Sequence, residues 1–231
     1  MRYRFSALMI LLMMAMMRGQ AQSTTTTPAP TANPGGIFIK GGVNFSNIST
    51  QKDGSYNDAN TLTTFNVGVL ADVPLAPILS LQPGVVLTGK GSKASGSLLG
   101  VSSTTKFNPL YIEVPVNVVV KLPVGASSRF FIGAGPYGAI GIGGKWKNDT
   151  NIGGIAGTSS DDNIKFGNNN GDDLKTFDFG LNGLAGVEVS RFMLGVNYGL
   201  GLSKIFPKQT DNDADNKNKY RMFSINVGVR I

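Results

Sequence analysis

The stretch FDFGLNGLAGVEV, Phe177 to Val189, decides how this chain is read. From Phe177 every second residue is apolar or small: Phe177, Phe179, Leu181, Gly183, Ala185, Val187. Between them stand Asp178, Gly180, Asn182, Leu184, Gly186 and Glu188, mostly polar or without a side chain. Period-two alternation puts the two sets on opposite faces of a strand. A strand of a soluble sheet is usually about 5–6 residues long, whereas one that crosses a bilayer needs about 9–11 because it tilts through the hydrocarbon. The run fits the second length.

The rhythm recurs. Leu110, Ile112, Val114, Val116, Val118 and Val120 alternate with Tyr111, Glu113, Pro115, Asn117, Val119 and Lys121. Phe192 to Ser203 and Phe223 to Ile231 do the same, and weaker copies lie at Ile37–Ser46, Leu62–Val73, Ile78–Lys90 and Phe130–Gly143. Each reads as a strand with one apolar and one small or polar face. Eight strands are predicted.

The connections sort by length. NISTQKDGSYNDAN, GSKASGSLLGVSSTTKFN, the segment from Gly144 to Leu174 and KIFPKQTDNDADNKN are long; PLAP, LPVGASS and a tight turn near Ser190 are short. Long and short alternate strictly. In an up-and-down barrel, odd connections emerge at one end and even ones at the other, and membrane barrels have long external loops and short periplasmic turns. Closure also removes the open edges that lipid cannot satisfy. The expected fold is therefore all-β: an eight-stranded antiparallel transmembrane barrel with both termini in the periplasm. Phe45, Phe65, Phe107, Trp146, Phe177 and Phe179 near the long loops, with Phe130 and Phe192 near the turns, would form two interfacial aromatic girdles.

The ends and the composition agree with export. Residues 1–21 open with Arg2 and Arg4, continue as an apolar run from Phe5 to Met17 and finish at Gly19 and Ala21, the pattern of a cleaved signal peptide. Residues 22–35 are rich in Thr and Pro and read as an extended periplasmic tether. Residues 36–231 suit one barrel domain. Cysteine and histidine are absent, which removes disulfides, thiolate metal sites and the usual general base. The formal charge of +7 falls to +4 when Arg2, Arg4 and Arg18 leave with the leader. The remaining lysines are interspersed with Asp and make no nucleic-acid stripe.

GGVNFSN, SLQPGVVLTGKGSK, YIEVPVNVVVKL, FFIGAGPYGAIGIGGK, FGLNGLAGVEV and LGVNYGLGLSKI, in this order and spacing, resemble the PorT-like outer-membrane β-barrel family of Bacteroidota. The resemblance spans Gly36 to Ile231 and implies an eight-stranded outer-membrane barrel. The family's namesake is linked to type IX secretion, although no motif in this chain singles out that role, and a fold does not by itself assign a function.

The inward faces carry the charges Lys40, Asp72, Lys121, Glu188 and Arg230 toward the periplasmic half and Lys90, Glu113 and Asp178 toward the external half. They read as a structural network, because a barrel of eight strands is just wide enough for side chains to fill it and buried charges persist only when partnered. Inner-face glycines would make room for these long side chains. Gly133, Gly135 and Gly138 spell G-x-G-x-x-G, but AIGIGGK continues a strand and not the helix a dinucleotide requires. Asp211, Asp213 and Asp215 suggest calcium, yet Asn216 stands where glycine is expected and Met222 where the closing acid belongs. No catalytic residue, metal or cofactor is expected. The expected partners are outer-membrane lipid and envelope or extracellular proteins reached through the loops, with Lys145 to Leu174 as the main contact surface. The alternative is a small ion or solute channel.

Overall fold

The computed structural model describes residues 33–52, 55–58, 61–98, 101–152, 155–169, 171–207 and 218–231. The leader, nearly all of the tether and the Asp211–Asp215 motif lie outside these residues.

Eleven strands form one sheet: β1 (Gly36–Lys52), β2 (Ser55–Asp58), β3 (Leu62–Ala76), β4 (Leu79–Gly89), β5 (Ser92–Leu98), β6 (Val101–Pro123), β7 (Ser128–Ile152), β8 (Ile155–Asn163), β9 (Phe177–Val189), β10 (Phe192–Gly201) and β11 (Lys219–Arg230). Eight of them close a ring in the order β1, β3, β4, β6, β7, β9, β10, β11, every pair antiparallel. The seam between first and last strands runs from Phe38 opposite Arg230 to Ser49 opposite Lys219. With that seam paired, the ring has no open edge.

Alternation fixes which side chains look out. Along β9, Phe177, Phe179 and Leu181 are exposed while Asp178, Asn182 and Glu188 are buried. Along β6, Ile112, Val114, Val116 and Val118 face out and Tyr111, Glu113, Asn117, Val119 and Lys121 face in. A chain that exposes its hydrocarbon and buries its charge inverts the usual soluble arrangement. No helix among the described residues is long and apolar enough to cross a membrane.

The other three strands alter the expected loops. β2 pairs with the end of β1, β5 with the start of β6, and β8 with the end of β7. Because β6 and β7 also stay paired from Val101 opposite Ile152 down to Asn108 opposite Lys145, β5, β6, β7 and β8 make a four-stranded sheet standing beyond the ring. Much of what reads as loop in the sequence is therefore hydrogen-bonded sheet. At the other end the joints are short: Pro77–Ile78, Val124–Ser127 and a two-residue turn at Ser190–Arg191 with Ser190 at φ 56°.

Two apolar clusters fill the interior. Nearer the turns, Phe38, Leu70, Val86, Val119, Phe131 and Met193 pack together. At the long-loop end, Ile48, Phe107, Tyr111, Tyr137, Ala139, Ile164, Leu174, Ile205 and Tyr220 form the second, with Trp146, Phe166 and Phe206 against it. Ile164, Phe166 and Leu174 come from the segment after β8, so the expected polar contact loop contributes a cap over the barrel mouth. Two girdle assignments are corrected here. Phe107 is buried, and its ring lies 4.3 Å from that of Trp146 inside the cap. The inner-face glycines are also put to a different use. A Cβ on Gly135 would meet Val116 O, one on Gly186 the Phe131 ring, and one on Gly180 the Tyr137 ring. These glycines make room chiefly for aromatic and aliphatic side chains and for the neighbouring backbone.

Residues 33–35, the end of the expected tether, lie against the turn end of the barrel. Asn33 is buried, and its Nδ2 donates to Ser80 Oγ.

Candidate functional site

The lumen holds two ionic clusters. At the turn end, Lys121 on β6 places Nζ 2.7 Å from Asp72 Oδ2 on β3 and 2.6 Å from Glu188 Oε1 on β9. Arg230 on β11 closes the group, its Nη2 2.8 Å from Glu188 Oε2. Gln82 Nε2 donates to Asp72 Oδ1 at 3.0 Å. The Phe38 ring lies under both cations, 5.6 Å from Lys121 Nζ and 5.0 Å from the Arg230 guanidinium. These ion pairs give each buried carboxylate a cationic partner, which is what burial demands.

The second cluster is at the long-loop end. Lys90 Nζ is 2.8 Å from Asp178 Oδ2 and 3.0 Å from Glu113 Oε2. Three tyrosines surround the amine, with ring centres at 4.3 Å for Tyr137, 5.2 Å for Tyr111 and 5.8 Å for Tyr220. Tyr137 donates its hydroxyl to Asp178 Oδ2 at 3.2 Å, and Ser203 Oγ donates to Asp178 Oδ1. Ring faces and carboxylates together replace the water that an ammonium loses on burial.

Lys40 is brought into neither cluster: it makes no ion pair among the described residues. Its side chain lines a cavity of ≈ 50 Å³ between them, together with Gln82, Glu113, Asn117, Asn182 and Asn226. This space holds no more than a few waters, and the amide oxygens of Asn117, Asn182 and Asn226 have no protein partner. Lys40 shares this cavity with Glu113, one of the two carboxylates that pair with Lys90.

Sequence reasoning missed several lumen residues. Asn44, with no exposed surface, donates to Thr88 Oγ1 at 2.9 Å and accepts from Asn66 at 2.6 Å and Ser224 at 2.8 Å, tying β1, β3, β4 and β11 together. Arg129 is buried in register with Glu188. An asparagine or tyrosine on a polar face gives no sign in sequence of where its partner lies. The G-x-G-x-x-G glycines lie on β7, with Gly133 against Val119 and Gly138 facing open space. In the Asn- and Asp-rich stretch after β8, Asp172 Oδ2 accepts from Asn169 N at 2.8 Å. No group of metal-ligating side chains occurs among the described residues.

A closed ring with an apolar exterior and a charged, filled interior defines an outer-membrane β-barrel. The chain belongs to the family described as outer membrane protein beta-barrel domain, whose model matches residues 20–207. Among solved structures it is similar to Ail, the attachment invasion locus protein of Yersinia pestis, at 15% identity over 85% of this chain and 99% of that one, with a TM-score of 0.39; that structure is a complex with the heparin analogue sucrose octasulfate. It is also similar to Neisserial surface protein A, at 13% identity over 84% and 97% with a TM-score of 0.43. The outer membrane protein OprG from Pseudomonas aeruginosa matches at 12% identity over 87% and 98%, with a TM-score of 0.42. No curated protein matches the chain.

Proposed function

We propose that this protein is a non-enzymatic outer-membrane stand: a plugged barrel that presents its long-loop end, outside the cell, to a protein or surface. One observation carries the reading. The strands β6 and β7 run on past the apolar band as a hydrogen-bonded sheet, above a lumen occupied by ion pairs and an aromatic cap. Binding residues collect on segments held by a rigid scaffold, and this sheet is such a scaffold. The lumen carboxylates pair with lysine or arginine, so none is left as a free base. The signal peptide, the tether and periplasmic termini belong to the same reading. So does a place in an envelope or secretion assembly of the kind the PorT-like resemblance implies.

The test is to replace Lys145–Asn163 with a short turn in the full chain and repeat partner capture from intact cells. Loss of capture, with heat-modifiable migration retained, supports display; unchanged capture refutes it. The alternative, a narrow channel, is favoured only by the cavity beside Lys40. Against it, a water-filled lumen belongs to barrels of about 16–18 strands.

A further inference from the structure

The outward face of the β5–β8 sheet carries a row of like charge. Lys93 stands opposite Lys106, and Lys106 opposite Lys147. Lys145 precedes Lys147 by two residues on the same face. Side chains directly opposite in an antiparallel pair are about 4.5–5.5 Å apart at Cβ, so like charges there repel. The counter-charge on this face among the described residues is Asp149, 3.4 Å from Lys106, and Asp161, 3.6 Å from Lys145 and 3.5 Å from Lys147. Two carboxylates face four lysines. Ion pairs this long and this exposed contribute little and exchange readily for another anion.

The height of the row identifies the anion. Outward hydrocarbon on these strands ends at Leu110, Ile140 and Ile142. Lys106 is four residues beyond Leu110, about 13 Å along the strand and about 10 Å along the membrane normal at a barrel tilt of about 35–45°. Lysine stems reach back along apolar surface with the ammonium in the polar layer. The four ammonium groups thus sit at and just above the headgroups, on the side turned toward the membrane.

We propose that Lys93, Lys106, Lys147 and Lys145 bind the phosphate groups of outer-leaflet lipid headgroups and so brace the sheet against the membrane surface. The proposal rests on the display reading for its orientation. Each lysine near an anionic surface is worth roughly fivefold in affinity, so removing three costs about 100-fold.

The experiment uses the full chain refolded into phosphatidylcholine nanodiscs doped with lipopolysaccharide, with the lipid A either phosphorylated or enzymatically dephosphorylated. Wild type is expected to retain the phosphorylated glycolipid about 100-fold more tightly than the triple variant Lys93→Ser, Lys106→Ser, Lys147→Ser. Dephosphorylation should bring wild type to the variant's level, and the triple Lys→Arg variant should bind as wild type does. Heat-modifiable migration reports whether each variant folds. Equal retention by wild type and the serine variant, or by the two glycolipids, overturns the proposal. So does dextran sulfate binding to micellar protein as tightly as the glycolipid, since the row would then read a ligand from solution. Orientation is tested separately: the chain has no cysteine, so an impermeant maleimide on intact cells reads Ser160→Cys alone. Labelling without phosphate selectivity sinks this inference and spares the display reading; no labelling sinks both.

Discussion

Lys121 Nζ lies 2.7 Å from Asp72 Oδ2, and neither side chain reaches solvent. The contact spans the lumen from β6 to β3, and with Glu188 and Arg230 it joins four strands of the ring. Removing one partner of a buried pair leaves an uncompensated charge. Lys121→Met is therefore expected to lower stability by about 3–5 kcal/mol, and adding Asp72→Asn to recover a large part of it. Urea unfolding of the detergent-refolded chain measures both. Additive losses would mean that the two residues are not coupled.

Glycines separate the inner face from the outer one. A Cβ on Gly135 would collide with Val116 O and Asn117 Cα, both backbone and unable to yield, whereas Gly138 and Gly183 have nothing within 4 Å. Gly135→Ala is expected to cost about 1–3 kcal/mol by overpacking, and Ala at Gly138 or Gly183 to cost nothing. Comparable losses at all three positions, in the same unfolding assay, would contradict the inward and outward assignment.

The cap can be read by fluorescence, because Trp146 is the only tryptophan. Leu174 is completely buried in the cluster against which Trp146 packs. Leu174→Ala should cost about 2–5 kcal/mol and shift the emission of Trp146 to the red. An unmoved spectrum would mean that the segment after β8 does not cover the barrel mouth.

The standing sheet has its own pH signature. The Ser159 hydroxyl, donating to Asp149 Oδ1 at 3.0 Å, and then Lys106 hold Asp149 below the usual 3.8. A depressed carboxylate stabilises above its unfolded value, and that contribution is lost as the pH falls through the folded one. Ser159→Ala should move the Asp149 midpoint up toward 3.8 in an NMR titration. An unchanged midpoint would dissociate Asp149 from β8.

The ring was legible in the sequence because a barrel strand writes its two faces into alternate residues, and Phe177 to Val189 or Leu110 to Lys121 suffices to orient it. What failed to read has local causes. Trp146 has the parity of Ile140 and Ile142, but Tyr111 pairs with Gly141 and Leu110 with Gly143, so Ile142 is an extra residue that turns Trp146 inward. Beyond that bulge, both faces of KWKNDTNI and VSSTTKFN are largely polar, so the continued strand resembles loop. Ile164, Phe166 and Leu174 are too widely spaced in a polar segment to announce a cap. The inward charges could be placed on a face, but their partners are set by register across six strands. Register also leaves Lys40 beside the cavity and outside both ion-pair clusters.

A filled lumen is the claim on which the display reading stands, and single-channel recording of the refolded full chain in a planar bilayer tests it most directly. The two ionic clusters and the aromatic cap predict a flat trace at the level of the bare membrane. Reproducible, well-defined conductance steps from the wild-type protein would contradict it.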